Sequence, residues 1–311
     1  MTMKLRYPIY IPSKGRADCA LTPHALDEMR VPYYLVVEDV EYDQYARYYD
    51  TSKLLRLPFS NLGQGSIPAR NWIWDHASAS GVSRHWIIDD NVNGFARLNF
   101  NRRIPVRSSA IFRCVEDFTD RFTNVAFSGL NYRNFAPDRS PTIAPFRLNT
   151  RIYSITLINN ALPYRWRGRY NEDTDICLRA LKDGWCTILF NAFLGNKLGT
   201  MRLRGGNTDN VYNTGDSRLA FAESLQQQHP DVVDVVWKFD RWHHSVNYDM
   251  FKRNKLQYKS DVTPIMRSNE YGMVLRRVCD RVAHRPYDTE HEDAAPMFDS
   301  PRAAEHGVTD E

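Results

Sequence analysis

The sequence predicts an α/β protein with a twisted, mainly parallel sheet flanked by helices. Short runs rich in Tyr, Ile and Val alternate with helical patterns along the first segment, and each run ends abruptly in a cluster of Pro, Gly, Asp or Asn. Strands resume on either side of a well-marked amphipathic helix later in the chain. With 311 residues, 42% hydrophobic and 25% charged, the chain suffices for about two domains or for one large α/β domain with an appendage, and its composition excludes collagen-like and disulfide-dense classes. No uncharged apolar run approaches the ~18 residues of a membrane span.

Residues 7–11 read as the first strand, broken by Pro12-Ser13-Lys14-Gly15. A helix over 21–30 precedes a second strand, 33–37, which stops at Glu38-Asp39. Residues 55–58 form a third short strand, and 61–65 a glycine-bearing turn. Ser66 then caps a helix that carries Pro68 in its first turn, where a missing N–H costs nothing, and ends before Gly81. The next strand, 85–88, stops at Asp89-Asp90-Asn91. Strands over 125–128 and 152–158 lead to a helix over 173–181, whose Ile176, Cys177, Ala180 and Leu181 share a face and which Gly184 terminates. A strand over 187–192 follows, and from Ser217 a helix runs into an aromatic and basic stretch, 237–258. The expected organisation is a domain over 1–216, in halves 1–95 and 96–216, a C-terminal helical, aromatic and basic extension over 217–284, and an acidic tail over 285–311 that is expected to be disordered.

The formal charge of +4 says little alone, but its distribution is uneven. Arg97, Arg102, Arg103, Arg107 and Arg113 come with no acid between them, and Arg165, Arg167 and Arg169 alternate. The five cysteines, Cys19, Cys114, Cys177, Cys186 and Cys279, are scattered without zinc or redox spacing, matching reduced thiols in a cytoplasm. The N-terminus passes straight into a strand and not into a signal-peptide core.

Asp89-Asp90-Asn91 places two carboxylates and an amide at the carboxyl edge of a buried strand, where open α/β sheets bind ligands. Adjacent acids repel, and a hard cation such as Mg²⁺ or Mn²⁺ bridging to phosphate oxygens would relieve them; the plainer reading is that Asp and Asn end strands everywhere. Asn171-Glu172-Asp173-Thr174-Asp175 opens the later helix. Acids there complement the helix dipole, and one of them, Asp173, can also serve as a general base for an acceptor hydroxyl. Two loops, Arg204-Gly205-Gly206-Asn207-Thr208 and Pro12-Ser13-Lys14-Gly15-Arg16, offer N–H groups beside cations, as phosphate sites do, although a Gly-Gly is usually only a turn. Neither a Walker motif nor GxGxxG occurs, which disfavours P-loop hydrolases and classical dinucleotide oxidoreductases.

In this order, Tyr10-Ile11-Pro12-Ser13-Lys14-Gly15-Arg16, the strand ending at Glu38, Gly63-Gln64-Gly65 with Pro68-Ala69-Arg70-Asn71, Ile88-Asp89-Asp90-Asn91 and Asn171-Glu172-Asp173 resemble a GT-A glycosyltransferase. The chain is similar to the TET-associated glycosyltransferases of bacteriophages over about residues 5–215, and the likeness extends into Arg241-Trp242-His243-His244. The resemblance implies a Rossmann-like GT-A fold and transfer from a UDP-sugar to 5-hydroxymethylcytosine in phage DNA, within the host cytoplasm. It implies that Pro12, Ser13, Arg16 and Glu38 line the uridine pocket and that Arg70 steadies the nucleotide. Asp89 and Asp90 stand for the DxD element, with Asn91 in its third position, so that Asp90 or Asn91 touches the Mn²⁺ or Mg²⁺. Glu172 and Asp173 stand for the pair that holds the acceptor and takes its proton.

On this reading the Gly205-Gly206 loop and the metal stabilise the departing diphosphate, while Asp173 deprotonates the alcohol with inversion at the anomeric carbon. The target base must leave the stack, and Arg102, Arg103, Arg107, Arg165, Trp166, Arg167, Trp237, Lys238, Arg241, Trp242, His243 and His244 are candidate DNA contacts. For Trp237 and Trp242, packing is the plainer expectation. The alternatives are the same transfer to a polysaccharide or protein, and a non-catalytic nucleic-acid-binding protein using the arginine-rich second half. No membrane partner is expected, and the sequence leaves the oligomeric state open.

Overall fold

The first half of the chain lays down four parallel strands, β1 (Ile9–Ser13), β2 (Tyr34–Val37), β3 (Leu54–Arg56) and β4 (Arg84–Ile88). Their near-continuous apolar sequences, Ile-Tyr-Ile in β1 and Trp-Ile-Ile in β4, suit strands covered on both faces. Helices α1 (Leu21–Glu28), α2 (Tyr42–Tyr45) and α3 (Ile67–Ala79) connect them. This computed structural model describes residues 3–99, 102–136, 143–168, 170–198 and 217–262. The Arg204–Thr208 loop, Arg169, Cys279 and the acidic tail lie outside the described residues.

The second half adds β5 (Val92–Asn99), β6 (Arg102–Val106), α4 (Ala110–Thr119), β7 (Val125–Tyr132), β8 (Phe146–Leu148), β9 (Ile155–Asn159), α5 (Glu172–Lys182) and β10 (Cys186–Lys197). All ten strands join one sheet in the order β3-β2-β1-β4-β9-β7-β10-β5-β6, with β8 also pairing to β10. β7 and β10 run parallel to each other, while β9 is antiparallel to both β4 and β7. The sheet is therefore mainly parallel and mixed, as the sequence predicts.

Helices cover both faces. On one, Ile73, Trp74 and Ala77 of α3 and Ile176, Cys177 and Ala180 of α5 bury against Tyr10, Ile87, Phe127 and Ile158. On the other, Phe112 of α4 meets Trp86 and Phe95 edge-on, at 5.4 and 5.2 Å between ring centroids. Each fully buried large side chain contributes about 1.5–3 kcal/mol of apolar burial.

Beyond the sheet, α6 (Ser217–Gln228) leads into a hairpin, β11 (Val233–Lys238) and β12 (Arg241–Val246). Leu225, Val232, Val233 and Phe251 from this region pack on Leu178 and Leu181 of α5. Asn254 Nδ2 donates to the carbonyls of Leu181 (2.8 Å) and Trp185 (2.9 Å), closing the end of α5. Asn149 Nδ2 donates to the carbonyls of Phe251 (2.8 Å) and Asn254 (2.9 Å). The hairpin turns on Phe239 and Asp240, both left-handed at φ 54°.

Several expectations need correction in detail. The strand expected over 152–158 begins only at Ile155, because Ser154 takes a left-handed φ of 55°. Ser66 holds the N-cap position of α3, yet its side chain caps nothing. Trp166, a candidate DNA contact, is buried and lies 5.3 Å from Trp74, edge to face. Trp237 packs edge-on against Trp242 at 5.2 Å, as expected, yet keeps 56% of its surface exposed at the hairpin. β5, β6 and the β11–β12 hairpin were not expected as strands. Among the described residues no helix is long and apolar enough to cross a membrane.

Candidate active site

Parallel strands aligned in one direction bring their carboxyl ends to one edge, and a cavity of about 430 Å³ opens there. Pro12 and Ser13 reach it from β1, Glu38 from beyond β2, Asp89, Asp90 and Asn91 from beyond β4, Tyr132 from β7 and Lys197 from β10. Ser154 joins them because antiparallel β9 starts where β4 ends, with Ile88 opposite Ile155. Arg70 enters from the first turn of α3, and Glu172 and Asp173 from the first turn of α5. Every described residue singled out for catalysis, nucleotide or metal thus lines one cavity; Gly205 and Gly206 lie outside the described residues.

The acids are held in separate ways. Asp90 is buried and accepts from Ser13 Oγ at 2.6 Å and from Arg16 Nη1, while its backbone carbonyl receives the N–H groups of Leu21 and Thr22 at the start of α1. Burial raises the Asp90 carboxyl pKa against the pull of Arg16. Asp89 accepts from Arg70 Nη2 (3.0 Å), Lys197 Nζ (2.8 Å) and Ser154 Oγ (2.6 Å). Burial opposes its ionisation, but Lys197 and Arg70 win, and the carboxyl is held well below the usual range.

Arg70 is only 5% exposed and is the hub of the site. Besides Asp89 it donates from Nη1 to Asp173, and Glu172 Oε1 lies 3.6 Å from the same nitrogen. Burial, with Asp173 alongside, pushes the Glu172 carboxyl up to about 7. Asn171 makes this placement possible: it is left-handed (φ 55°), which Asn tolerates, and its side chain donates to the Phe221 carbonyl (2.7 Å) on α6. Acids in the first turn of α5, with Arg179 and Lys182 in its last, also match the helix dipole.

Sequence reasoning missed Lys197, Ser154, Tyr132 and Tyr153. Tyr132 OH pairs with Ser154 Oγ at 2.6 Å, and its ring lies 6.2 Å from that of Tyr153 and 5.4 Å from that of Phe135. All line the cavity, and Phe135 is 59% exposed at its rim. The strand expected over 187–192 stops short of Lys197; following its apolar alternation to Leu194 would have found the lysine at its end. At the far edge, Glu38 accepts from Asn61 N (3.0 Å) and pairs with Lys14 (2.8 Å).

The fit of a divalent cation can be tested on its donors. Both oxygens of Asp89 and both of Asp90 already accept from Arg70, Lys197, Ser154, Arg16 or Ser13. Among the described residues no group of three or more His, Cys, Asp or Glu side chains could hold a metal ion. Asn91 Oδ1 is buried without a hydrogen-bond partner, a single neutral oxygen and not a metal shell. As arranged, Asp89, Asp90 and Asn91 do not fit the expected Mn²⁺ or Mg²⁺.

Acids from facing elements thus meet in one cavity at the carboxyl ends of the parallel strands. The model of the TET-Associated Glycosyltransferase family matches residues 7–206, and the chain belongs to that family. The mixed sheet flanked by helices is the α/β class that the sequence predicts. Among solved structures, a Desulfovibrio desulfuricans G20 protein described as a candidate nucleotide-diphospho-sugar transferase is similar at 8% identity and a TM-score of 0.33, over 60% of this chain and 80% of that one. No curated protein matches.

Proposed function

We propose that the enzyme moves a sugar from a UDP-sugar to the hydroxymethyl oxygen of 5-hydroxymethylcytosine in phage DNA. The observation that carries this reading is the Glu172–Asp173 pair facing Asp89 across Arg70 in a single cavity. The donor's nucleotide lies along Pro12, Ser13, Arg16 and Glu38, and its sugar near Asp89, Asp90 and Asn91, whose unpartnered Oδ1 suits a sugar hydroxyl. The volume, about 430 Å³, falls within the range of small-molecule sites.

The acceptor oxygen attacks the anomeric carbon as the carbon–phosphate-oxygen bond breaks, its electron pair leaving with the diphosphate and the hydroxyl proton passing to the acid pair. Asp173 is the base expected from the sequence, yet Arg70 occupies its Oδ1. We therefore assign the proton to Glu172, whose raised carboxyl is matched to neutral pH, and give Asp173 the task of aligning it through Arg70. A base and a leaving group on opposite sides of the sugar favour inversion. Phe135, Tyr132 and Tyr153 offer a flipped pyrimidine aromatic faces along the cavity, and stacking supports a base as acceptor. Exposed Trp237, with Lys238 and Arg241 flanking the turn, supplies DNA contacts on this reading, and exposed Phe239 at the turn adds one the sequence did not suggest.

The test is to incubate the protein with a panel of UDP-sugars and DNA bearing cytosine, 5-methylcytosine or 5-hydroxymethylcytosine, and to weigh the released nucleosides. A hexose or N-acetylhexosamine increment on hydroxymethylcytosine alone, lost in Glu172→Gln, is the expected result. Release of UDP with no nucleoside gaining mass would move the acceptor to a polysaccharide or protein.

A further inference from the structure

We infer that Lys197, and not a divalent cation, supplies the positive charge against which a nucleoside diphosphate is held in this cavity. The inference rests on the nucleotide reading given above. Lys197 ends β10, where pairing with Val92 of β5 fixes it directly beyond the Asp89-Asp90-Asn91 turn. Its ammonium donates to Asp89 Oδ2 (2.8 Å) and Ser154 Oγ (2.6 Å), and lies 5.6 Å from the Tyr132 ring centroid. An ammonium has three protons, so one remains for a ligand, and the side chain lines the cavity.

The other cations among the described residues lining the cavity are differently committed. Arg70 is shared among Asp89, Glu172 and Asp173, Arg16 donates to buried Asp90, and Lys14, at the far edge, pairs with Glu38 at 2.8 Å. A dication bound to Asp89 Oδ2 would have to displace the Lys197 ammonium or sit beside it, against like-charge repulsion. Mg²⁺ further demands a near-octahedral oxygen shell at about 2.0–2.1 Å, whereas these carboxylate oxygens already face protons of nitrogen or hydroxyl groups. Asp89 therefore acts as the anchor that fixes Lys197 and keeps it charged, and Lys197 in turn faces the phosphate. When the anomeric carbon–oxygen bond breaks, the electron pair comes to rest on a phosphate oxygen that accepts a hydrogen bond from Lys197, which keeps its proton.

The experiment is a calorimetric titration of UDP into the full-length chain, once with a chelator and once with saturating Mn²⁺. The expected result is the same affinity in both. In chelator, Lys197→Met weakens UDP binding by about tenfold or more, the loss of one charge-assisted hydrogen bond, while Lys197→Arg retains most of it. Thermal unfolding of the Met variant checks that it folds, and the wild-type comparison needs no variant at all. UDP bound by the wild type only with Mn²⁺, or bound equally by Lys197→Met in chelator, overturns the inference and leaves the nucleotide reading standing. UDP bound under neither condition overturns both.

Discussion

Arg70 Nη1 donates to the carboxylate of Asp173, so the first turn of α3 is tied to the first turn of α5 across the mouth of the sheet. The same guanidinium holds Asp89 at 3.0 Å, which makes one buried cation answerable for acids on two elements, the end of β4 and the start of α5.

Replacing Arg70 by Met therefore leaves Asp89, Glu172 and Asp173 without their shared partner. The expected cost is about 3–5 kcal/mol of stability, the usual penalty for stranding buried charge, together with loss of transfer. Adding Asp173→Asn to that variant should return part of the stability, because one of the stranded charges is gone; denaturant midpoints measure both. Arg70→Lys keeps the charge but not the fork, and should fold better than it works.

The raised Glu172 carboxyl sets a pH dependence of opposite sign for activity and stability. As a base it must be ionised, so kcat/KM should climb about tenfold per pH unit up to neutrality and then level off. Its folded pKa of about 7 lies above the ordinary 4.5, so its contribution to stability is complete below 4.5 and is lost as pH rises through 7. Initial rates across this range, with Glu172→Gln as reference, decide: a residual rate in the variant that still follows the wild-type acid limb assigns that limb elsewhere.

Two glycines of the central sheet differ in what a methyl group would strike. At Gly129 in β7 a Cβ would run into the backbone carbonyl of Ile155 on the neighbouring strand, which cannot yield without disturbing the ladder. At Gly195 it meets no backbone atom, and its closest neighbour is Ile155 Cδ1, the far end of a side chain. Gly129→Ala should cost at least about 2–3 kcal/mol and Gly195→Ala under about 1 kcal/mol, and urea denaturation showing the reverse order would contradict the packing described.

Phe239 occupies a turn position that favours Asn or Gly and leaves its ring 84% exposed. Phe239→Gly should relieve the backbone and raise the melting temperature slightly, yet weaken DNA retention in a filter-binding assay without altering UDP affinity. Retention equal to wild type would remove the hairpin from the DNA interface.

Much of the site was legible because strand ends announce themselves: Pro12-Ser13, Glu38 and Asp89-Asp90-Asn91 interrupt apolar runs where a parallel sheet exposes its binding edge. Lys197, Ser154 and Tyr132 were not, since each is placed by pairing between strands distant in sequence, and no local pattern encodes that β9 runs against β4. The β5–β6 hairpin was hidden for a different reason. Its arginines read as a basic run, while the alternation of Phe95, Ala96 and Leu98 with charge is faint on an edge ribbon open to solvent.

The family match ends at residue 206, but the scaffolding of α5 does not. Asn254 holds the last turn of α5 by the carbonyls of Leu181 and Trp185, and Leu225, Val232 and Phe251 roof Leu178 and Leu181. A chain cut at the motif boundary would keep every acid of the cavity and strip the far end of the helix that aims two of them. If Glu172 and Asp173 act as proposed, the smallest active fragment is expected to extend beyond the family match at least to Asn254, so that any transplant of this chemistry carries those distal residues along.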